Sequence, residues 1–144
     1  MRIALDTNVL RPVLSDPSER GQVLATVLDR YNAAHDLLIC APPVYAELLA
    51  IPRAQSATLD AVLADRGMQV DWELSRDVWT AAGQAYAAYA QRRRLERPPG
   101  ESRRILADFV IGAQALYRAD ALLTFNARDF STNFPTLTII VPTT

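Results

Sequence analysis

Short apolar runs alternate with longer segments of helical periodicity along the 144-residue chain. This alternation is typical of a parallel β-sheet covered by helices. The chain is also long enough to bury a core of its own. We therefore expect one α/β domain over residues 1–144, with a central parallel sheet of about five strands flanked by helices. The strands are predicted at residues 2–6, 37–41, 68–71, 121–125 and 138–141.

Breaks in the periodic segments predict where the helices begin and end. Pro42 and Pro43 suit a helix entrance, and Gly67 suits a helix end. The Pro-Pro-Gly run at 98–100 must interrupt any helix that reaches it. Helices are accordingly predicted at about 18–31, from just after 43 to near 52, 56–65, 76–94 and 102–118.

Cysteine and histidine counts exclude several classes of site. The only cysteine, Cys40, lies in an apolar run, which rules out disulfide frameworks and cysteine-rich zinc sites. The only histidine, His35, lies in a polar stretch that predicts a surface loop, and one histidine cannot make a two-histidine nuclease. No apolar stretch is long enough for a membrane span, and Asp6 follows the start too early for a signal peptide, so we expect a cytoplasmic protein.

Arginines supply all fifteen basic residues, although the net charge is only −1. Arginine presents a planar fork of donors that matches phosphate oxygens. A crowd of them could therefore bind a nucleic-acid backbone, or could simply be a solvated helix end and loop. Six lie within thirteen positions: Arg92, Arg93, Arg94, Arg97, Arg103 and Arg104.

Three carboxylates, Asp6, Glu47 and Asp108, interrupt apolar surroundings. Asp6 closes the first predicted strand, where open parallel sheets place their ligands, although it could instead cap a helix. Glu47 could lie at the edge of the core or on an exposed helix face. Asp108 has apolar neighbours on both sides, and burying it unpaired would cost several kcal/mol or force it to take a proton.

Two kinds of partner could compensate these acids. A hard divalent cation turns the repulsion between neighbouring carboxylates into coordination, and Mg²⁺ and Mn²⁺ prefer oxygen ligands. An internal ion pair is the alternative, for example between Arg104 and Asp108 one helical turn away. Spacing alone leaves both readings open.

The acids also lie in segments that resemble the PIN-domain ribonucleases, and among them the VapC-like toxins of bacterial and archaeal toxin–antitoxin pairs. The similarity covers nearly the whole chain. It implies a parallel sheet flanked by helices, an acid cluster that holds Mg²⁺ or Mn²⁺, and endonucleolytic cleavage of RNA. The matching segments are LDTNVL at 5–10, YAEL at 45–48, ILADFVIGA at 105–113, LLTFNARDF at 122–130 and FPTL at 134–137.

At one position the chain departs from this resemblance. Many members have an aspartate as a fourth acid after the last strand and its threonine, and the corresponding position in this chain is Asn126. Asparagine can coordinate through its carbonyl oxygen but carries no charge. Asp129, three residues later, could substitute or could be an ordinary helix-start residue. The number of metal ions, one or two, stays open.

The resemblance also assigns roles. Asp6 and Asp108 would be direct ligands of a metal ion, with Glu47 holding a water or a second ion, and the metal would activate water. Side chains of the neighbouring segments would orient ligands or bind the RNA backbone: Thr7, Asn8, Arg94, Arg97, Arg104 and Thr124.

The expected partners are an RNA substrate, an antitoxin and a second copy of the chain. Trp79, Tyr86 and Tyr89 could supply an apolar contact surface, although core packing is the simpler role. Two other functions remain compatible with the pattern. One is a PIN-like module that binds RNA without cutting, and the other is a metal-dependent phosphoesterase that acts on DNA or small esters.

Overall fold

The computed structural model describes residues 1–96 and 104–143, with only the backbone of residue 96. Five parallel strands form one sheet in the order β3-β2-β1-β4-β5. Ala4 at the centre of β1 lies opposite Ile39 on one side and Leu122 on the other. The predicted sheet is therefore confirmed. Its strands are β1 (Arg2–Leu5), β2 (Leu37–Cys40), β3 (Met68–Val70), β4 (Ala121–Leu123) and β5 (Ile139–Ile140).

Helices connect the strands and cover the sheet. Within the described part of the chain they are α1 (Thr7–Ser15), α2 (Glu19–Ala33), α3 (Pro42–Leu48), α4 (Ser56–Asp65), α5 (Arg76–Glu96), α6 (Leu106–Arg118) and α7 (Ala127–Asn133). Gly67 has a φ of 68° just after α4, as its predicted stop position requires. The predicted break at 98–100 and helix start at 102 lie outside the described residues. Arg104 and Ile105 are not helical, so the described helix α6 begins at Leu106, later than the predicted start at about 102.

The prediction omitted α1 and α7, and both omissions have a physical reason. Pro12 lies inside α1, where a proline removes one backbone hydrogen bond and normally disfavours a helix. Burial of Val9 and Leu10 against the core offsets that cost. Helix α7 has only seven residues, too few to show a helical period, and it is anchored by the buried ring of Phe130.

The core lies on both faces of the sheet, so the strands are almost entirely apolar, apart from the exposed Arg2 in β1 and Gln69 in β3. Helix α6 packs closely over it, since a side chain at Gly112 would collide with the ring of Phe134. Phe109 contacts Tyr89 and Tyr86 of α5 with ring centroids 5.2 Å apart in each case. Core packing is confirmed for Tyr89, but Trp79 is half exposed and was wrongly expected inside.

Two residues that excluded other classes of site lie where the sequence predicted. His35 is exposed in a loop and adopts a φ of 63°. Cys40 is buried at the end of β2, and burial raises the pKa of its thiol to about 12, so it is a weak nucleophile. No helix in the described ranges is long and apolar enough to cross a membrane.

Candidate active site

The site is built where the strand order reverses. From β1 the chain crosses to β2 on one side, whereas β4 lies on the other side of β1 and leads on to β5. Open α/β sheets bind ligands in the crevice outside the carboxyl ends of the strands at such a switch point. Asp6 directly follows β1 and Thr124 directly follows β4, so both side chains belong to this crevice.

Asp6 is the most buried of the three acids, with 5% of its surface exposed. The hydroxyl of the fully buried Thr124 donates a 2.7 Å hydrogen bond to its Oδ2. Burial raises the pKa of Asp6 above the ordinary value, and the charge of Asp108 raises it further. Hydrogen bonds from Thr124 and from the backbone of Thr7 and Asn8 lower that pKa in part. Thr124 thus stabilises a carboxylate that burial disfavours.

Thr124 also connects Asp6 to two asparagines. Its hydroxyl oxygen accepts the backbone N–H of Asn126 at 2.9 Å and the side-chain amide of Asn8 at 3.4 Å. The Oδ1 of Asn8 in turn accepts the backbone N–H of Phe125 at 3.3 Å. The start of α1 is therefore tied to the end of β4, and the orienting role predicted for Asn8 and Thr124 is compatible with these bonds.

Glu47 enters the same region from α3. It is partly buried, not freely exposed, and its Oε1 accepts a 3.3 Å hydrogen bond from the hydroxyl of Thr7. Burial raises the pKa of Glu47, the charges of Asp108 and Asp6 raise it further, and Thr7 and Arg11 lower it. Glu47 therefore feels both other acids.

Asp108 lies in the first turn of α6, which packs against α3 and β1. Its Oδ2 accepts the backbone N–H of Ile105 at 3.2 Å, which is one half of a capping box, since isoleucine has no side-chain acceptor for the other half. This position at a helix N-terminus favours the negative charge. The ion pair considered between Arg104 and Asp108 does not form, because Arg104 pairs with Asp129 instead.

The three acids share one electrostatic environment without forming a closed cluster. Within residues 1–96 and 104–143, no three histidine, cysteine, aspartate or glutamate side chains lie close enough together to hold a metal ion. The donors are nevertheless carboxylate, hydroxyl and amide oxygens, which are the ligands that Mg²⁺ and Mn²⁺ prefer. The donor set therefore fits such a cation, and coordination by all three acids would need them to move closer together.

Asp129 approaches Asp108 from α7 but is already paired. Its carboxylate bonds the guanidinium of Arg104, whose side chain is only 15% exposed. The backbone N–H of Arg104 also donates to the Tyr89 hydroxyl at 2.5 Å. Asp108, Asp129 and Arg104 line one small pocket with Phe109. Asp129 can therefore act as a fourth acid only if Arg104 releases it.

Asn126, which stands at the fourth-acid position, immediately precedes α7. Its backbone carbonyl accepts the N–H of Phe130 at 3.3 Å, and its side chain makes no capping bond. The side-chain amide is thus available beside Thr124 as a neutral oxygen ligand.

Three of the four described arginines of the crowd contact other side chains of the protein. Arg92 donates to Asn133 at 3.2 Å, and the guanidinium groups of Arg92 and Arg93 lie 5.7 and 5.8 Å from the ring centre of Tyr89. Arg94 is exposed. Arg97 and Arg103 lie outside the described residues, so the RNA-binding role of this crowd stays a prediction.

Two arginines that the sequence analysis passed over also act near the ends of β1 and β4. The charge of Arg11 acts on Glu47, and Arg20 lies over the ring of Phe125 with 5.2 Å between guanidinium carbon and ring centre. Both are isolated in the sequence, in segments without a charge run. Only the tertiary packing of α1 and α2 beside the end of β4 shows that these two arginines act here.

Two solved structures are similar to this fold. One is VapBC2 from Rickettsia felis, bound to a DNA fragment from the promoter, with a TM-score of 0.67 and 17% identity. The other is VapBC-1 from nontypeable Haemophilus influenzae, with a TM-score of 0.63 and 19% identity. Each match covers 98% of this chain and 98% of the matched chain. At such identities the likeness concerns the fold. No curated protein matches the chain by sequence.

Sequence comparison with protein families gives a more direct result. The sequence model of the PIN domain matches residues 3–133, which include β1 from its second residue, β2, β3, β4 and all three acids. A match over most of the chain, together with the five-stranded parallel sheet, leads to one conclusion: the chain belongs to the PIN domain family.

Proposed function

We propose that this protein is a Mg²⁺- or Mn²⁺-dependent endoribonuclease and the toxin of a toxin–antitoxin pair. The observation that carries the proposal is the convergence of Asp6, Glu47 and Asp108 at the switch point of the sheet. The charge of Asp108 raises the pKa of both other acids, which places the three within one electrostatic neighbourhood. Carboxylates that act on one another in this way, among other oxygen donors, are suited to binding a divalent cation.

Asp6 and Asp108 are the proposed direct ligands, and Glu47 holds a water or a second ion. The bound cation would supply a Lewis acid that lowers the pKa of water and neutralises charge on the phosphate. The Thr7 hydroxyl holds Glu47 by a 3.3 Å hydrogen bond, which fixes the orientation of its carboxylate.

Thr124 and Asn8 position the ligands. Because Thr124 donates to Oδ2 of Asp6, it fixes the carboxylate rotamer. Asn8 holds Thr124 from the other side, so the two act as one support. Asn126 is the proposed neutral ligand in place of a fourth acid. Asp129 would become a ligand only after its ion pair with Arg104 breaks.

The partners proposed are RNA and an antitoxin. Both similar structures are VapBC complexes, which supports a protein partner that covers the crevice. We also propose that the protein acts in the cytoplasm and can form homodimers.

A second candidate is a PIN module that binds RNA without cutting it. Two observations favour it: the uncharged Asn126 at the fourth-acid position, and the absence of three metal-holding side chains in close contact within the described ranges. It differs from the first proposal in a single measurable respect, since it predicts binding without fragments.

The test is cleavage of a mixed RNA pool and of single-stranded DNA by the purified protein, in EDTA and in Mn²⁺. We compare wild type with Asp108→Asn and with Asp65→Asn, which removes an exposed acid on α4 as a control. Discrete RNA fragments from wild type and Asp65→Asn only, and only with Mn²⁺, support the nuclease. Cleavage in EDTA, or equal cleavage by Asp108→Asn, overturns the proposed acid site. Preferential cleavage of DNA overturns the proposed substrate.

A metal-binding readout keeps the site testable without activity. A cation that binds only the native state raises the melting temperature as its concentration increases. We expect Mn²⁺ to stabilise wild type and Asp65→Asn but not Asp108→Asn. RNA binding without cleavage, with Mn²⁺ stabilising the wild type, favours the non-cutting module.

A further inference from the structure

Arg20 and Phe125 form a cation–π pair that has no part in the proposed metal site. The guanidinium carbon of Arg20, near the start of α2, lies 5.2 Å from the ring centre of Phe125. Phe125 lies between Thr124 and Asn126, at the carboxyl end of β4. We propose that this pair is a subsite for an unpaired nucleotide of an RNA strand, next to the acid crevice. The inference rests on the proposed function.

The ring of Phe125 is fixed relative to the acids. Its backbone N–H donates to Asn8, and its neighbour Thr124 bonds Asp6. The ring itself is partly buried against the core. Whatever contacts Arg20 is therefore held at a constant place beside the carboxyl end of β4, which Thr124 ties to Asp6.

The guanidinium of Arg20 is available for an anion. Arg20 is exposed, and among the described residues no carboxylate lies within ion-pair distance of it. Asp16 acts on it only through its charge at longer range. A guanidinium that lies over an aromatic ring keeps N–H donors free for phosphate, and guanidinium and aromatic planes are surfaces on which bases stack.

Arg92 and Arg104 of the arginine crowd differ in this respect. Arg92 bonds Asn133, and Arg104 bonds Asp129. A phosphate would have to displace those partners, whereas at Arg20 it displaces only water. Unpaired RNA is the class of ligand that fits, since its splayed bases stack on arginine and aromatic planes while its phosphates bind the edges.

The experiment measures binding and omits cleavage. A short fluorescein-labelled single-stranded oligouridine is titrated in EDTA, over a series of salt concentrations, with wild type and four variants. Arg20→Gln removes the charge, Arg20→Lys keeps the charge without the plane, and Phe125→Leu removes the aromatic support. Arg30→Gln is the matched control, an exposed arginine on the same helix about 15 Å further along its axis.

We expect Arg20→Gln to weaken binding about fivefold at 0.1 M salt and to reduce the salt slope by about 0.7, the effect of one phosphate contact to a single strand. Arg20→Lys keeps the salt slope but binds more weakly than wild type, because lysine lacks the planar guanidinium. Phe125→Leu weakens binding in the same direction. Arg30→Gln stays within twofold of wild type, and melting temperatures identify any variant that has lost its fold.

Equal binding by Arg20→Gln and Arg30→Gln, with both folded, overturns the subsite. So does a wild type that does not bind the oligonucleotide. The two proposals fail separately. RNA cleavage by wild type with unchanged binding in Arg20→Gln overturns the subsite alone, whereas Arg20-dependent binding without metal-dependent cleavage overturns the nuclease alone.

Discussion

The hydroxyl of Thr124 donates a 2.7 Å hydrogen bond to Asp6, and this bond joins the ends of β1 and β4 across the switch point of the sheet. Both side chains are almost completely removed from solvent. A hydrogen bond to a buried charged group contributes about 1.5–3 kcal/mol, so its loss is measurable. The pair is therefore a direct way to test whether Asp6 must be ionised and oriented.

Thr124→Val keeps the shape of the side chain and removes the donor. We expect metal-dependent RNA cleavage to fall about tenfold or more, because Asp6 loses the bond that lowers its pKa and fixes its rotamer. Thr124→Ser keeps the hydroxyl and serves as the control. Cleavage rates at saturating Mn²⁺ compare the three proteins, and a Val variant as active as wild type would contradict the role given to Thr124.

Stability without metal depends on pH through Asp6 and Glu47. Burial raises the pKa of both in the folded state, so the native protein holds more protons than the unfolded chain above their ordinary values of 3.8 and 4.5. Their contribution is fully present below those values and is lost as pH rises through the folded pKa. In EDTA, Asp6→Asn should therefore gain stability relative to wild type as pH increases.

Denaturant unfolding at several pH values measures this difference. Asp65→Asn controls for the removal of an exposed negative charge. Adding Mn²⁺ should reverse the advantage of Asp6→Asn, since the cation favours the ionised wild-type carboxylates. A difference between Asp6→Asn and wild type that shrinks with rising pH would show that burial is not the dominant cause.

Arg104 and Asp129 form an ion pair that would keep Asp129 from coordinating a cation at the proposed site. Because the Asp129 side chain is more than a third exposed, we expect a coupling free energy of only about 1 kcal/mol. A double-mutant cycle with Arg104→Met and Asp129→Asn, followed by urea unfolding, measures it. A coupling of zero would mean that the pair does not persist in solution.

Releasing Asp129 should also change metal binding. Arg104→Met leaves a free carboxylate in the pocket that Asp108 lines, so we expect tighter Mn²⁺ binding than in wild type. Isothermal titration gives the affinity, and the double variant should return to the wild-type value. Weaker Mn²⁺ binding in Arg104→Met would show that Arg104 supports the site.

Gln114 on α6 is fully buried, and neither atom of its amide has a hydrogen-bond partner among the described residues. An unsatisfied buried polar group costs about 1–3 kcal/mol. Gln114→Met, which has a similar volume, should therefore raise the free energy of unfolding. Gln84→Met on the exposed face of α5 is the control and should change it little. Destabilisation by Gln114→Met would indicate that the amide is satisfied.

The sheet and its long helices were predictable because their signals are local. Fully buried strands are apolar at every position, and helices of ten residues or more show a period, so both are visible in the chain. Asp6, Glu47 and Asp108 stood out for the same reason, as charges within apolar runs. Helix α1 was hidden by Pro12, and α7 by its length, since tertiary burial and not local preference stabilises them.

By itself, the sequence determined the α/β class, the three acids and the family resemblance, because these depend on composition and spacing. Only the tertiary structure decided which side chains meet. It paired Arg104 with Asp129 instead of Asp108, and it placed Arg20 over Phe125. Partners that are distant in sequence are chosen by how the helices cross the sheet, and no local pattern records that choice.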